Sequence, residues 1–120
     1  MSRIKRGTVK RRRHKSILAQ TRGHRGVRHR LFKRAQESLL HSLRYAYQHR
    51  RERKGQFRRL WIARINAAVR LHDLSYNRFI DGLHKAGVEI DRKVLADLAV
   101  RDDATFARLV DTAKGGLTAG

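Results

Sequence analysis

VRHRLFKRAQESLLHSLRYAYQHRRERKGQFRRLWIARINAAVRL, residues 27–71, contains a single glycine, Gly55, and no proline. Proline is the residue that most strongly ends a helix, so a run this long without one reads as helical by default. Leu31, Ala35, Leu39, Leu43, Ala46 and Tyr47 recur at three- and four-residue spacing, the period of one helical face. The face is narrow and is interrupted by Gln36, Ser42 and Gln48. One long helix is the simplest reading, and some 45 residues would span roughly 65–70 Å. Gly55 is its weak point, because a glycine inside a helix costs about 1 kcal/mol relative to Ala; a kink or frayed turn is expected at Lys54-Gly55. Between Arg25 and Arg59 the helix is too polar to bury in a 120-residue chain, so it reads as an arm projecting from a body.

On the N-terminal side, Gly23-His24-Arg25-Gly26 punctuates the chain as a bend. Before it, Thr8–Arg22 reads as a short basic helix with Thr8 as N-cap and Gly23 just past its end. Its apolar residues are Val9, Ile17, Leu18 and Ala19. That is too little to dock on a core, so this helix is expected to order only against a partner.

On the C-terminal side, Trp61, Ile62, Ile65, Ala68, Val69 and Leu71 supply an apolar face. Asp73-Leu74-Ser75 marks a turn with Ser75 as the next N-cap. Tyr76, Phe79, Ile80 and Leu83 form a second stripe that Gly87 ends. Asp91 caps a third helix carrying Val94, Leu95, Leu98 and Ala99, and Ile90 with Leu95 occupies the two positions of a hydrophobic staple. Asp102 or Asp103 caps a fourth with Phe106, Leu109, Val110 and Ala113, expected to stop at Gly115-Gly116. The fold class is therefore all-α. Residues 1–59 form a long basic helical extension, and residues 60–120 form a small globular bundle of four amphipathic segments. About 60 residues can bury a marginal core.

The charge divides at the same place. Residues 1–59 hold 21 Lys and Arg against two acids, Glu37 and Glu52, whereas residues 60–120 hold nine against eight. A net charge of +20 repels itself in a compact state, so the basic part needs a polyanion. Phosphate backbone is the commonest one. The densest run is Lys10-Arg11-Arg12-Arg13-His14-Lys15, followed by Arg50-Arg51-Glu52-Arg53-Lys54 and Arg58-Arg59. Arg predominates, which favours bidentate phosphate contact and stacking on bases. Phe32 and Tyr45 are candidates for base stacking, whereas Phe57 and Trp61 read as packing where the arm meets the bundle. DNA remains open on charge alone. A membrane partner would need a broad apolar face opposite the charge, which this seam does not provide.

Other chemistries find little support. No cysteine is present, which removes disulfides and thiolate metal sites. No apolar run nears the ~20 residues of a membrane span, and the basic N-terminus lacks the apolar segment of a secretory signal. Five of seven histidines lie among cations, a setting hostile to a bound metal ion. Nucleophile elbows, phosphate-cradling glycine loops and paired metal-binding histidines are missing. The sequence thus implies no enzyme, no catalytic residue, no metal, no cofactor and no small-molecule substrate.

Two longer motifs add a resemblance. Gln56-Phe57-Arg58-Arg59-Leu60-Trp61-Ile62-Ala63-Arg64-Ile65-Asn66-Ala67-Ala68 and Val88-Glu89-Ile90-Asp91-Arg92-Lys93-Val94-Leu95-Ala96-Asp97-Leu98-Ala99 resemble the signature of ribosomal protein twenty of the bacterial large subunit. Arg3-Ile4-Lys5-Arg6-Gly7, Gly23-His24-Arg25-Gly26 and Tyr45-Ala46-Tyr47 fall in register with the same family, which usually carries a basic residue where this chain has Gly55. The resemblance implies a cytoplasmic structural component of the large ribosomal subunit. It implies a basic extension threading ribosomal RNA, a C-terminal domain seated on an RNA helix junction, and a role early in subunit assembly. Neighbouring large-subunit proteins are implied partners, and in some members so is the protein's own messenger RNA, bound as a repressor. It carries RNA contact onto Arg58, Arg64 and Asn66. In the extension it carries the same role onto Arg3, Lys5 and Arg6, onto Lys10, Arg11, Arg12, Arg13, His14 and Lys15, and onto Arg22, Arg25, Arg28 and Arg30. Lys33, Arg34 and Arg44, then Arg50, Arg51, Arg53, Lys54 and Arg59, complete the set.

Overall fold

A computed structural model describes residues 2–119. Five α-helices follow one another: α1 Gly7–Gln20, α2 Phe32–Arg70, α3 Tyr76–Lys85, α4 Arg92–Arg101 and α5 Asp103–Thr118. A 3-10 turn, Gly26–His29, lies between the first two. No strand occurs among the described residues, so the all-α expectation holds. Two compact units emerge, Met1–Arg51 and Glu52–Gly120, and α2 contributes residues to both.

In the N-terminal unit, α1 begins with Arg6 at its N-cap, where no side chain caps a backbone N–H. Thr8 therefore lies inside the helix and does not cap it. The helix ends at Gln20 with Gly23 nearby at φ 82°, a left-handed conformation that suits a residue without Cβ. Gly26, at φ 66°, turns the chain into the 3-10 segment. That turn delays α2 to Phe32 rather than Val27, with Leu31 accepting the Ala35 N–H at 2.8 Å. The expectation that α1 has no docking face is corrected. His14 stacks on Phe32 of α2 with ring centroids 3.6 Å apart and planes within 13°. Ile17 and Leu18 are half-buried, and Thr21 and Ala35 are fully buried. The Thr21 hydroxyl turns back to the Ile17 and Leu18 carbonyls, so this small polar residue is buried without an unmet hydrogen bond. The histidine supplies as an aromatic ring the apolar surface that α1 lacks in aliphatic side chains.

Gly55 lies within the hydrogen-bonded run of α2, so the helix does not end there. Every residue from 40 to 60 is exposed.

The C-terminal unit has its core at Ile65, Val69, Leu74, Phe79, Leu83, Leu95, Ala96, Phe106, Val110 and Ala113. The rings of Phe79 and Phe106 meet at 5.5 Å with a 40° tilt, a geometry that favours the aromatic quadrupoles. Trp61, Ile90 and Leu98 pack against this core. The helix boundaries follow from local chemistry. The end of α2 closes with Asp73 N–H bonded to Arg70 O and Leu74 N–H to Val69 O, with Asp73 left-handed at φ 57°. The end of α3 repeats the pattern at Gly87, φ 72°, through Gly87 N–H to His84 O and Val88 N–H to Leu83 O. Both are Schellman endings, which satisfy carbonyls the helix leaves orphaned. Ser75 and Asp91 cap α3 and α4 by accepting the N–H of Arg78 at 3.4 Å and of Val94 at 2.8 Å. Asp102 is at once the C-cap of α4 and the N-cap of α5.

One boundary differs from the sequence reading. The fourth amphipathic helix, α5, runs on to Thr118 through Gly115 and Gly116. A Cβ at Gly116 would overlap the Gly82 carbonyl oxygen, and one at Gly82 would overlap the Ala113 carbonyl oxygen. These glycines let α3 and α5 approach backbone to backbone. Their role is steric, and Gly116 is not a stop signal.

Candidate nucleic-acid interface

The sequence-selected cations lie on a small number of elements. Arg3 and Lys5 precede α1, and Arg6 stands at its N-cap. Lys10, Arg11, Arg12, Arg13 and Lys15 ride on α1. Arg22 and Arg25 lie in the turn, Arg28 in the 3-10 segment and Arg30 at its end. Lys33, Arg34, Arg44, Arg50, Arg51, Arg53, Lys54, Arg58, Arg59 and Arg64 ride on α2. All of these are exposed, whereas His14 and Asn66 are half-buried. Asn66 accepts a hydrogen bond from Arg70 Nε at 3.3 Å, so its side-chain oxygen is already engaged.

The two acids N-terminal to residue 60, Glu37 and Glu52, stand against 21 cations. Glu37 pairs with Arg34 at 3.2 Å, both side chains more than half exposed, and such a pair contributes at most about 1 kcal/mol. Two further ion pairs, Lys85–Asp81 and Arg101–Asp97, lie on α3 and α4. Acids nearly balance cations from residue 60 onward, so the excess charge lies on α1 and on α2 up to Arg59, where it acts on whatever anion approaches.

Aromatic rings interleave with this charge. Tyr45 stands between His41 and His49, ring centroids 6.3 and 6.0 Å away and planes within 25° and 14°. The Arg51 guanidinium sits 4.5 Å above the Tyr47 ring. Tyr45 and Tyr47 are exposed, so their faces are accessible to bases. Phe57 is exposed as well, a correction to its expected packing role. It leans on Trp61 one turn on, at 6.1 Å, and only Trp61 reaches the core.

Histidine serves local joints. His24 Nδ1 shares a 2.7 Å hydrogen bond with Ser38 Oγ, and His29 Nδ1 donates to the His24 carbonyl at 2.8 Å. Among the described residues no three His, Cys, Asp or Glu side chains gather where they could hold a metal ion. No helix is long and apolar enough to cross a membrane.

Three concavities bring candidates together. Arg6, Lys10, Arg13 and His14 of the α1 side meet Phe32 and Gln36 of α2 around one cleft. Arg28, Ser38, His41 and Tyr45 line a second. On the C-terminal unit, Trp61 and Arg64 line a third with Lys93, Val94 and Leu98, where the acids Asp91 and Asp97 offset the two cations. Sequence reasoning missed Gln36 and Lys93. In the sequence Gln36 is a polar break in the apolar seam, and the one signal for Lys93 is its place in the second long motif.

An all-helical chain with an exposed cationic face and interleaved aromatic rings has the features of a polyanion-binding protein. Residues 3–109 match the family model described as Ribosomal protein L20. Large ribosomal subunit protein bL20 of Finegoldia magna is 57% identical over 117 residues, 98% of this chain and 100% of that protein. Its counterpart in Moorella thermoacetica is 57% identical over 120 residues, covering 100% and 99% of the two chains, and that of a Roseiflexus species is 55% identical over 114 residues, covering 95% and 97%. The chain belongs to the ribosomal protein L20 family.

Proposed function

We propose that this chain is a structural component of the large ribosomal subunit in the cytoplasm that binds large-subunit ribosomal RNA directly and promotes early subunit assembly. The observation that carries the reading is the segregation of charge: 21 Lys and Arg against two acids up to residue 59, with all 21 exposed. Cations so placed neutralise phosphates and release condensed counterions, so RNA segments that repel one another can be held together. Residues 1–59 act as the basic extension, and residues 60–120, whose charge is nearly balanced, as a docking module that reads RNA shape. Phosphate neutralisation consolidates the basic helices, whose buried contacts are few. Neighbouring large-subunit proteins complete the environment. The family resemblance adds the protein's own messenger RNA as a second ligand, bound to repress translation.

The test is binding of the full chain to a large-subunit ribosomal RNA fragment, an unrelated structured RNA, the protein's own messenger leader and duplex DNA across a salt series. The expected result is a steep linear fall of log K with log salt and a preference of about tenfold or more for the ribosomal fragment at ~150 mM salt. Equal affinity for duplex DNA would replace this reading with a nucleoid one. A messenger leader that binds no better than the unrelated RNA would remove the repressor role alone.

A further inference from the structure

We infer that the cleft between α1 and the start of α2 is a pocket for one unstacked nucleotide of an RNA strand. This inference rests on the RNA-binding reading above and assigns to one part of that surface a base-recognising role. The cleft has a volume of about 430 Å³, within the range of pockets that hold small organic groups. Its lining divides by chemistry. Arg6, Lys10 and Arg13 follow one another at four- and three-residue spacing, so they share a helical face, and all three reach the same cavity. None of them pairs with a carboxylate among the described residues, and no acid lines the cleft. That side suits a phosphate.

The opposite side suits a base. Phe32 and His14 both line the cleft and are already locked ring on ring at 3.6 Å. Both are half-buried, so the platform is held in place and a base laid against it loses little freedom in ordering the protein. Gln36 lies one turn beyond Phe32 on α2 and lines the same cleft. Its exposed amide makes no hydrogen bond within the described structure, and it offers both donors and an acceptor to a base edge. Cations on an open helix face can follow a backbone but cannot distinguish a paired base from an extruded one. A concave site with a ring platform and a free amide can. An acidic peptide would satisfy the cations and leave the platform and the amide unused.

The experiment uses the full chain and a short single-stranded oligoribonucleotide carrying one 2-aminopurine, whose fluorescence falls when it stacks. Wild type should quench it. Phe32→Leu, which keeps an apolar side chain against His14, should lose the quench and weaken binding about tenfold, the scale of one lost base stack, with the salt slope unchanged. Arg13→Gln should instead lower that slope by about one contact. Gln36→Ala, at an exposed position, should alter the ranking of oligonucleotides that differ only in the reporter-flanking base. Circular dichroism of each variant confirms that helix content is kept. Full quench and affinity in both Phe32→Leu and Gln36→Ala would overturn the pocket while leaving RNA binding intact. A wild type that shows no salt-dependent RNA binding would instead overturn the underlying function. Displacement of the oligonucleotide by a poly-glutamate peptide of equal charge, or by AMP alone at equal concentration, would also overturn it, since the occupant would then be an acidic chain or a free nucleotide.

Discussion

Alanine at Gly82 tests the close approach of α3 and α5. The added methyl would overlap the Ala113 carbonyl oxygen and lie 2.8 Å from its carbon. These are backbone atoms inside a helix, so relief requires moving a helix, not turning a side chain. Overpacking of this kind costs about 1–3 kcal/mol, against about 1 kcal/mol gained by replacing a helical glycine with Ala. The net loss reaches about 2 kcal/mol. For a domain of this size each kcal/mol moves Tm by roughly 4–8 °C, so Tm should fall by as much as about 15 °C. Gly115→Ala is the internal control. It sits in the same helix beside Gly116, but its Cβ would meet nothing within 4 Å, so propensity acts alone and Tm should rise by about 4–8 °C. Thermal unfolding of the full chain, followed by circular dichroism, reads both. A Gly82→Ala variant that gains stability as Gly115→Ala does would refute the backbone contact and the core register built on it.

Two further predictions concern helix ends. Asp73 holds a left-handed conformation at the end of α2, where an L-residue is strained and glycine is not. We predict that Asp73→Gly gains about 0.5 kcal/mol after the entropy lost from the unfolded chain is counted, seen as a higher urea midpoint at unchanged slope; a lower midpoint would show that the Asp73 side chain holds the turn. At Asp102 the Thr105 hydroxyl, then the Thr105 N–H, lowers the carboxyl pKa. The folded value lies below the unfolded one, so this stabilisation is fully present above the unfolded pKa and is lost as pH falls through the folded one. Thr105→Val should therefore flatten the acid limb of the stability–pH curve, and an unchanged limb would rule the contact out as its source.

Much of the fold was readable because the signals were local. Ser75, Asp91 and Asp102 each cap the N–H three residues on, and a capping side chain needs no distant partner to work. The misread positions depended on residues far along the chain. Gly116 looks like a terminator until Gly82 lies against it, and nothing in the sequence near residue 116 announces that neighbour. In the sequence His14 stands in a run of cations, and only its stack on Phe32, eighteen residues away, shows it as a docking ring. Phe57 has the composition of a core residue, but the helix turns it outward. The bare cationic face of the candidate interface was legible from charge alone. The cleft was not, since it exists only where the bend at Gly23 and Gly26 folds α1 onto α2.

The shared residue at the junction of α4 and α5 has a mechanical consequence. The other connections of the C-terminal unit span several residues and can absorb small displacements. Here Asp102 closes one helix and opens the next, so the chain has no slack. The direction in which α5 departs is inherited from the last turn of α4: the Asp102 N–H bonds to the Leu98 carbonyl, while its carboxylate accepts from the Thr105 N–H and hydroxyl. With a single residue in common, the two helices can change their crossing only by turning the φ and ψ of Asp102, so the shape of the surface they present together is set at one position.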